Sequence, residues 1–157
     1  MKNLVTTVVF LRRNDEMLLA MKKRDHGKGR WNGPGGKVSS RETVEQAMIR
    51  ECQEEIGVTP TQYEQVAESV FYQLYKGEPC KNTGHIYFCT EWTGDPMESD
   101  EMAPQWFKLD EIPYNQMWPD TPHCIPQLLA GKKLRGTFRY NDDNTLETYE
   151  ITEIESF

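Results

Sequence analysis

Apolar and polar positions along this chain follow two different periods. Leu4 to Leu11, rich in β-branched side chains, predicts a strand. Arg13-Asn14-Asp15-Glu16 reads as a turn and Met17 to Met21 as a second strand, completing a hairpin. Residues 22–30, KKRDHGKGR, are basic and glycine-containing and predict a loop. WNGPGGKV (31–38) predicts extended chain that bends at its glycines. A helical period then takes over, opened by Thr43 and Gln46 in a capping-box spacing and closed by Gly57. Two further strands are expected at 65–75 and 84–93, with KGEPCKNT as the loop between them. Gln105 to Leu109 predicts a short strand, and DEIPYNQMWPDTPH (110–123) an irregular, proline-punctuated segment. Ile125 to Ala130 predicts a short helix ending at Gly131. Leu134 to Tyr140 and Leu146 to Ile154 predict a closing hairpin around residues 141–144. This order implies an α/β (α+β) class fold, a mixed sheet with helices on its faces in an α/β/α sandwich. A length of 157 residues suits one domain spanning 1–157.

The helix after Thr43 carries acids where apolar residues are expected. A helix advances about 100° per residue, so Glu51, Glu54 and Glu55 fall within an arc of about 100°. Val44, Ala47 and Met48 share or border that arc, and Cys52, Ile49 and Ile56 continue the apolar stripe. A merely solvated face would lie opposite the stripe. Anions crowded beside a core repel one another and lose hydration, which makes sense if a divalent cation sits there. Oxygen-rich, thiol-free ligation suits a hard cation, Mg²⁺ first and Mn²⁺ as a substitute. Mg²⁺ commonly joins carboxylates to substrate phosphates, so a pyrophosphate-containing substrate is expected.

The formal net charge of −7 disfavours binding to a nucleic-acid polymer. It leaves a nucleotide open, because a bound cation reverses the local field. The four cysteines, at 52, 80, 89 and 124, have no zinc or CxxC spacing and read as free thiols of a reducing compartment. The N-terminus lacks a signal-peptide pattern and no stretch is long enough to span a bilayer. A cytoplasmic monomer with no membrane partner is expected.

Residues 36–58, GKVSSRETVEQAMIRECQEEIGV, have the form of the Nudix box. Gly36, Glu42, Arg50, Glu51, Glu54, Glu55, Gly57 and Val58 fall at its spacings, with Cys52 where the family usually carries a larger aliphatic residue. Segments outside the box extend the likeness over nearly the whole chain: MKKR (21–24), GRWNGPGGKV (29–38), ESDEM (98–102), MWPD (117–120) and the closing hairpin. In these the chain resembles the MutT-type Nudix hydrolases, and among them the animal oxidised-purine nucleoside triphosphatases. The resemblance implies hydrolysis of oxidised purine nucleoside triphosphates, 8-oxo-dGTP foremost, to the monophosphate and pyrophosphate. It implies metal ligation by Glu51, Glu54, Glu55, Glu101 and the Gly35 carbonyl. Arg50 would orient the glutamates, and Glu42 would support the junction of loop and helix. The catalytic base stays open among Glu51, Glu54 and Glu101. The substrate side carries over to Thr7, Lys22, Asn32, Gly36, Lys37, Phe71, Trp118 and Asp120. Trp118 would stack on the purine while Asn32 and Asp120 read its edge.

Three positions depart from the animal enzymes. Thr121 stands where they carry a second acid, which predicts a preference for 8-oxo-dGTP with weaker acceptance of 2-oxidised adenine nucleotides. His26 and Pro34 replace aromatic residues and would reshape the pocket wall. Two other readings remain: a Nudix pyrophosphohydrolase acting on a dNTP, ADP-ribose or a dinucleoside polyphosphate, and a nucleotide-binding regulator without catalysis.

Overall fold

A computed structural model describes all 157 residues. Strands β1 (Lys2–Arg13) and β2 (Glu16–Lys22) form the expected first hairpin. Two short strands follow, β3 (Trp31–Asn32) beside β2 and β4 (Gly35–Lys37) beside β1. Helix α1 (Val44–Ile56) carries both reciprocal capping bonds of Thr43 and Gln46, and Gly57 closes it in the left-handed region at φ 71°. Strands β5 (Thr59–Tyr75) and β6 (Glu78–Thr93) make a long antiparallel hairpin. Then come β7 (Met102–Lys108) on β2, a 3-10 turn at Tyr114–Gln116, helix α2 (Thr121–Leu129) and the closing hairpin of β8 (Lys133–Tyr140) and β9 (Leu146–Ile154). The sheet is mixed. β1 runs parallel to β6 and β5 runs parallel to β8, along the path β3-β2-β1-β6-β5-β8-β9.

Alternation along β1 sends Val9 and Leu11 to one side and Phe10 to the other. The first side packs on α1 through Met48, Cys52 and Ile56, and the second on α2 through Ile125 and Leu128. The helices therefore cover opposite faces, which is the expected α/β/α arrangement. All four cysteines are buried and free, as expected. No helix is long and apolar enough to cross a membrane.

Several boundaries differ from the sequence reading, among them the start of β5, at Thr59 rather than residue 65. KGEPCKNT is not a loop: only Lys76 and Gly77 turn, at φ 51° and 77°, and the rest is strand. Two adjacent positive-φ residues make the tight turn whose twist suits a hairpin. β7 begins at Met102 rather than Gln105. α2 begins at Thr121, ahead of the expected Ile125, because Pro122 sits in its first turn, where no backbone N–H is required.

Thr43→Ala removes the cap bond to Gln46 N–H (3.1 Å) and should cost about 1 kcal/mol. For a chain of this size the melting temperature should then drop by about 2–4 °C. A thermal melt at the wild-type midpoint would show that the box does not hold α1.

Candidate functional site

Glu55 belongs to the buried face of α1 and is only 2% exposed. Its Oε1 accepts the Gly35 N–H at 3.2 Å, while Oε2 is buried with no hydrogen-bond partner. The Glu51 carboxyl lies against Gly36, where an added Cβ would stand 2.5 Å from its carboxyl carbon. At Gly35 a Cβ would meet the Thr7 carbonyl oxygen at 1.8 Å. Gly35 is thus required by its close approach to the β1 backbone, and at Gly36 a side chain would push the Glu51 carboxyl aside. Burial pushes the Glu51 and Glu55 carboxyls up from their ordinary range, Glu55 further.

Arg50 ties this corner together. It grips Glu42 with Nε and Nη2 (2.9 and 2.6 Å), reaches the Lys37 carbonyl with Nη2 (3.1 Å), and gives Nη1 to Glu51 (3.0 Å) and Glu54 (3.3 Å). The fork holds the Glu42 carboxyl down at about 2, helped by the Ser39 N–H. Glu54 remains mostly exposed on the same helix. Glu101 is held elsewhere: its Oε1 accepts from Arg24 (2.9 Å), and its Oε2 lies 3.9 Å from the Lys22 ammonium. Lys22 also acts on Glu55, favouring its ionised form. No three acids converge as a ready-made metal cluster. Glu51 and Glu54 turn to Arg50 and Glu101 to Arg24, while Glu55 turns to the Gly35 N–H. An unpartnered carboxylate oxygen beside a glycine cradle is nevertheless a hard-oxygen site that a divalent cation would satisfy.

A cavity of about 230 Å³ opens beside this corner on the α2 face of the sheet. Residues at period two form its floor: Thr6, Val8 and Phe10 from β1, Ser69, Phe71 and Gln73 from β5, and Asn82, Gly84 and Ile86 from β6. Of the residues the resemblance puts on the substrate side, Thr7, Lys22, Asn32, Gly36, Phe71, Trp118 and Asp120 line it, and Gly35, put on the metal side, lines it too. Lys37 does not. Its ammonium lies 4.8 Å from the Tyr75 ring centroid, and its carbonyl serves Arg50. Asn32 Oδ1 accepts the Gly33 N–H (2.8 Å), and its amide NH₂ makes no bond within the chain. Phe71 stacks on Phe138 at 5.5 Å. Trp118 carries the Arg30 guanidinium 4.3 Å from its centroid and the His26 ring stacked at 5.0 Å. His26 therefore still supplies a ring to the pocket wall, and burial lowers its pKa. Pro34 is fully buried and passes its carbonyl to the Val9 N–H at 2.9 Å.

Asp120 bonds to Tyr140, and burial pushes its carboxyl up against the pull of that bond. Tyr140, Gln73, Asn82 and Arg30 were not singled out from the sequence. Gln73 lies two residues beyond Phe71 and Tyr140 two beyond Phe138, so strand periodicity was the signal that could have found both. Arg30 was read only as part of the basic loop 22–30.

A NUDIX domain profile matches residues 1–128. The chain is 41% identical over 151 residues to the oxidized purine nucleoside triphosphate hydrolase of Mus musculus, covering 96% of each chain. Its counterpart of the same name in Danio rerio is 39% identical, over 95% of this chain and 94% of its own. The 8-oxo-dGTP diphosphatase of Escherichia coli is 32% identical, over 69% of this chain and 83% of its own. Among solved structures, the MutT protein of Bacillus halodurans superposes with a TM-score of 0.83 at 26% identity, covering 94% of this chain and 97% of that one.

The raised Glu55 carboxyl has a consequence for stability. With a chelator present, the folded chain keeps that proton to higher pH than the unfolded chain, so stability should fall as pH rises from about 5 to about 8. Glu55→Gln should flatten this slope, and Mg²⁺ should raise the melting temperature of wild type at about pH 8 but not that of the variant. An unchanged slope in Glu55→Gln would show that the carboxyl is not the strained group.

Proposed function

The chain belongs to the Nudix family, and on that premise we propose that it hydrolyses oxidised purine nucleoside triphosphates to the monophosphate and pyrophosphate, with 8-oxo-dGTP as preferred substrate. The observation that carries this reading is the continuity of two unlike surfaces. A purine-sized cavity walled by Trp118, Phe71, Asn32 and Asp120 ends at Gly35 and Gly36, and those glycines rest on Glu55 and Glu51. A nucleotide with its base in the cavity has its phosphates at the carboxylates. The relatives at 41% and 39% identity bear the names of enzymes acting on that substrate class.

The divalent cation is Mg²⁺ in this reading, with Mn²⁺ able to replace it, held by Glu51, Glu54, Glu55 and the Gly35 carbonyl. Once bound, it neutralises phosphate charge and makes water a stronger nucleophile. The protein's own groups do the remaining work. Trp118 stacks on the base and the Asn32 NH₂ donates to its edge. Arg50 keeps Glu51 and Glu54 on one side of the phosphates through its Nη1 bonds. Glu54 takes the proton of the attacking water: it is exposed, and its only bonded oxygen is Oε2, to Arg50. Glu51 also accepts from Arg50 but is far less exposed than Glu54, and Glu101 is held by Arg24. Glu101 therefore acts through its salt bridges, which order Lys22 and Arg24 at the cavity mouth. The protein works as a cytoplasmic monomer in a single domain, removing damaged precursors before a polymerase uses them.

Initial rates with Mg²⁺ for 8-oxo-dGTP, dGTP, 2-hydroxy-dATP and ADP-ribose test the substrate. The largest kcat/KM is expected for 8-oxo-dGTP, and a higher value for dGTP would overturn the sanitising role. Trp118→Ala should lose about 1–3 kcal/mol of base binding, mainly in KM. Glu54→Gln should lower kcat by about 10²–10⁴ with KM little changed.

A further inference from the structure

Asp120 is the only acidic residue lining the cavity, so it is the one carboxylate that can face a base there. Thr121 beside it has a hydroxyl in the cavity wall but no proton to gain or lose at working pH. What controls Asp120 is therefore outside the sequence motif that brought it to notice.

The Tyr140 hydroxyl makes two bonds to Asp120. Its oxygen accepts the Asp120 backbone N–H at 3.0 Å, and its proton goes to Asp120 Oδ1. The backbone N–H can only donate, so the phenol proton has only the carboxyl as its acceptor. Oδ1 is thereby an acceptor and cannot carry a proton of its own. Any proton on Asp120 must sit on Oδ2. Tyr140 is well placed to impose this. It lies on β8, is 8% exposed, and meets the Trp118 ring edge-on at 5.8 Å. Burial and Asp120 itself push its phenol far up, so it keeps its proton throughout the working range.

We propose that Tyr140 is a positioning residue that makes Asp120 a one-oxygen acceptor, selecting purines whose edge offers N–H donors over those whose edge offers a ring-nitrogen acceptor. A 2-amino-6-oxopurine presents such donors, and an adenine presents N1 as an acceptor. The proposal rests on the nucleotide reading given above.

The other groups facing Asp120 act in a consistent sense. Arg30, from the loop before β3, and His123, from α2, favour its ionised form, as the Tyr140 bond does. Burial opposes them. Cys124 of α2, with its thiol pushed up to about 12, stays neutral. Removing the phenol hydroxyl leaves burial with fewer opponents and shifts Asp120 toward its protonated form. Oδ2 then becomes a donor.

The test is Tyr140→Phe, which keeps the ring, with kcat/KM measured across pH for 8-oxo-dGTP and 8-oxo-dATP. The acid limb for 8-oxo-dGTP should move up by about one pH unit, a loss of about tenfold at pH values below the limb, carried by KM. The ratio of 8-oxo-dATP to 8-oxo-dGTP turnover should rise. A limb that stays or moves down, or an unchanged ratio, overturns the proposal. A melting curve separates these results from loss of fold. If the variant does not fold, the Asp120 carboxyl carbon of the wild type is followed by ¹³C NMR: ionisation below neutrality is expected, and a carboxyl still protonated at neutral pH refutes the proposal. A wild type that ignores base oxidation would sink the substrate assignment instead, and the Tyr140 test would still run on dGTP against dATP.

Discussion

A buried carboxyl beside a partly buried one organises this molecule. Glu51 and Glu55 share one turn of α1 and lie against the backbone of Gly36 and Gly35. Burying charge is unfavourable unless it is paired, and here the nearby cations are placed at the margins. Arg50 reaches Glu51 from one side, and Lys22 acts on Glu55 from the other. One oxygen of Glu55 is left with nothing. An ordinary amphipathic helix would place an apolar residue at that position. The chain keeps an acid there, and the surroundings are shaped to it: no Cβ fits at Gly35, whose N–H meets Glu55, and Arg50 spends its fork bracing Glu42 and the Lys37 carbonyl.

The sheet explains how this corner meets a nucleotide cavity that lies on its other face. α1 packs on the Val9 and Leu11 side of β1, and the cavity opens on the Phe10 side with α2. A continuous sheet would separate them. The short strand β4 pairs with β1 only through Thr6, Thr7 and Val8, and β6 continues on the opposite flank of β1. Gly35 and Gly36 touch both the carboxyls and the cavity. The polar and aromatic walls then have separate sources: the floor from three central strands, and the lid from the Trp118–Asp120 segment and the 26–30 loop.

Much of this was legible in the amino-acid order because it is local. The capping box, Gly57 and the arc of Glu51, Glu54 and Glu55 depend only on residues within a few turns. The same holds for the first and last hairpins. What was not legible depends on partners distant in the chain. Asn32 was expected to read the base edge, but the bond its Oδ1 takes from the next residue's N–H has no signal in the sequence. Glu101 was expected beside the other acids, yet Arg24 and Lys22 draw it to the basic loop. Tyr140 gives no sign in sequence that it serves Asp120, because the parallel pairing of β5 with β8 brings β8 to the cavity. Proline misled at α2, where the first turn tolerates it.

The account's central claim is that the Glu51–Glu55 corner binds polyphosphate through a cation rather than by itself. The direct measurement is the affinity for a non-hydrolysable nucleoside triphosphate analogue, by calorimetry, with Mg²⁺ and with a chelator. Binding should weaken by at least about tenfold when the cation is withdrawn, since two acids would then face the phosphates uncompensated. Equal affinity in the chelator, in wild type and in Glu51→Gln alike, would contradict it.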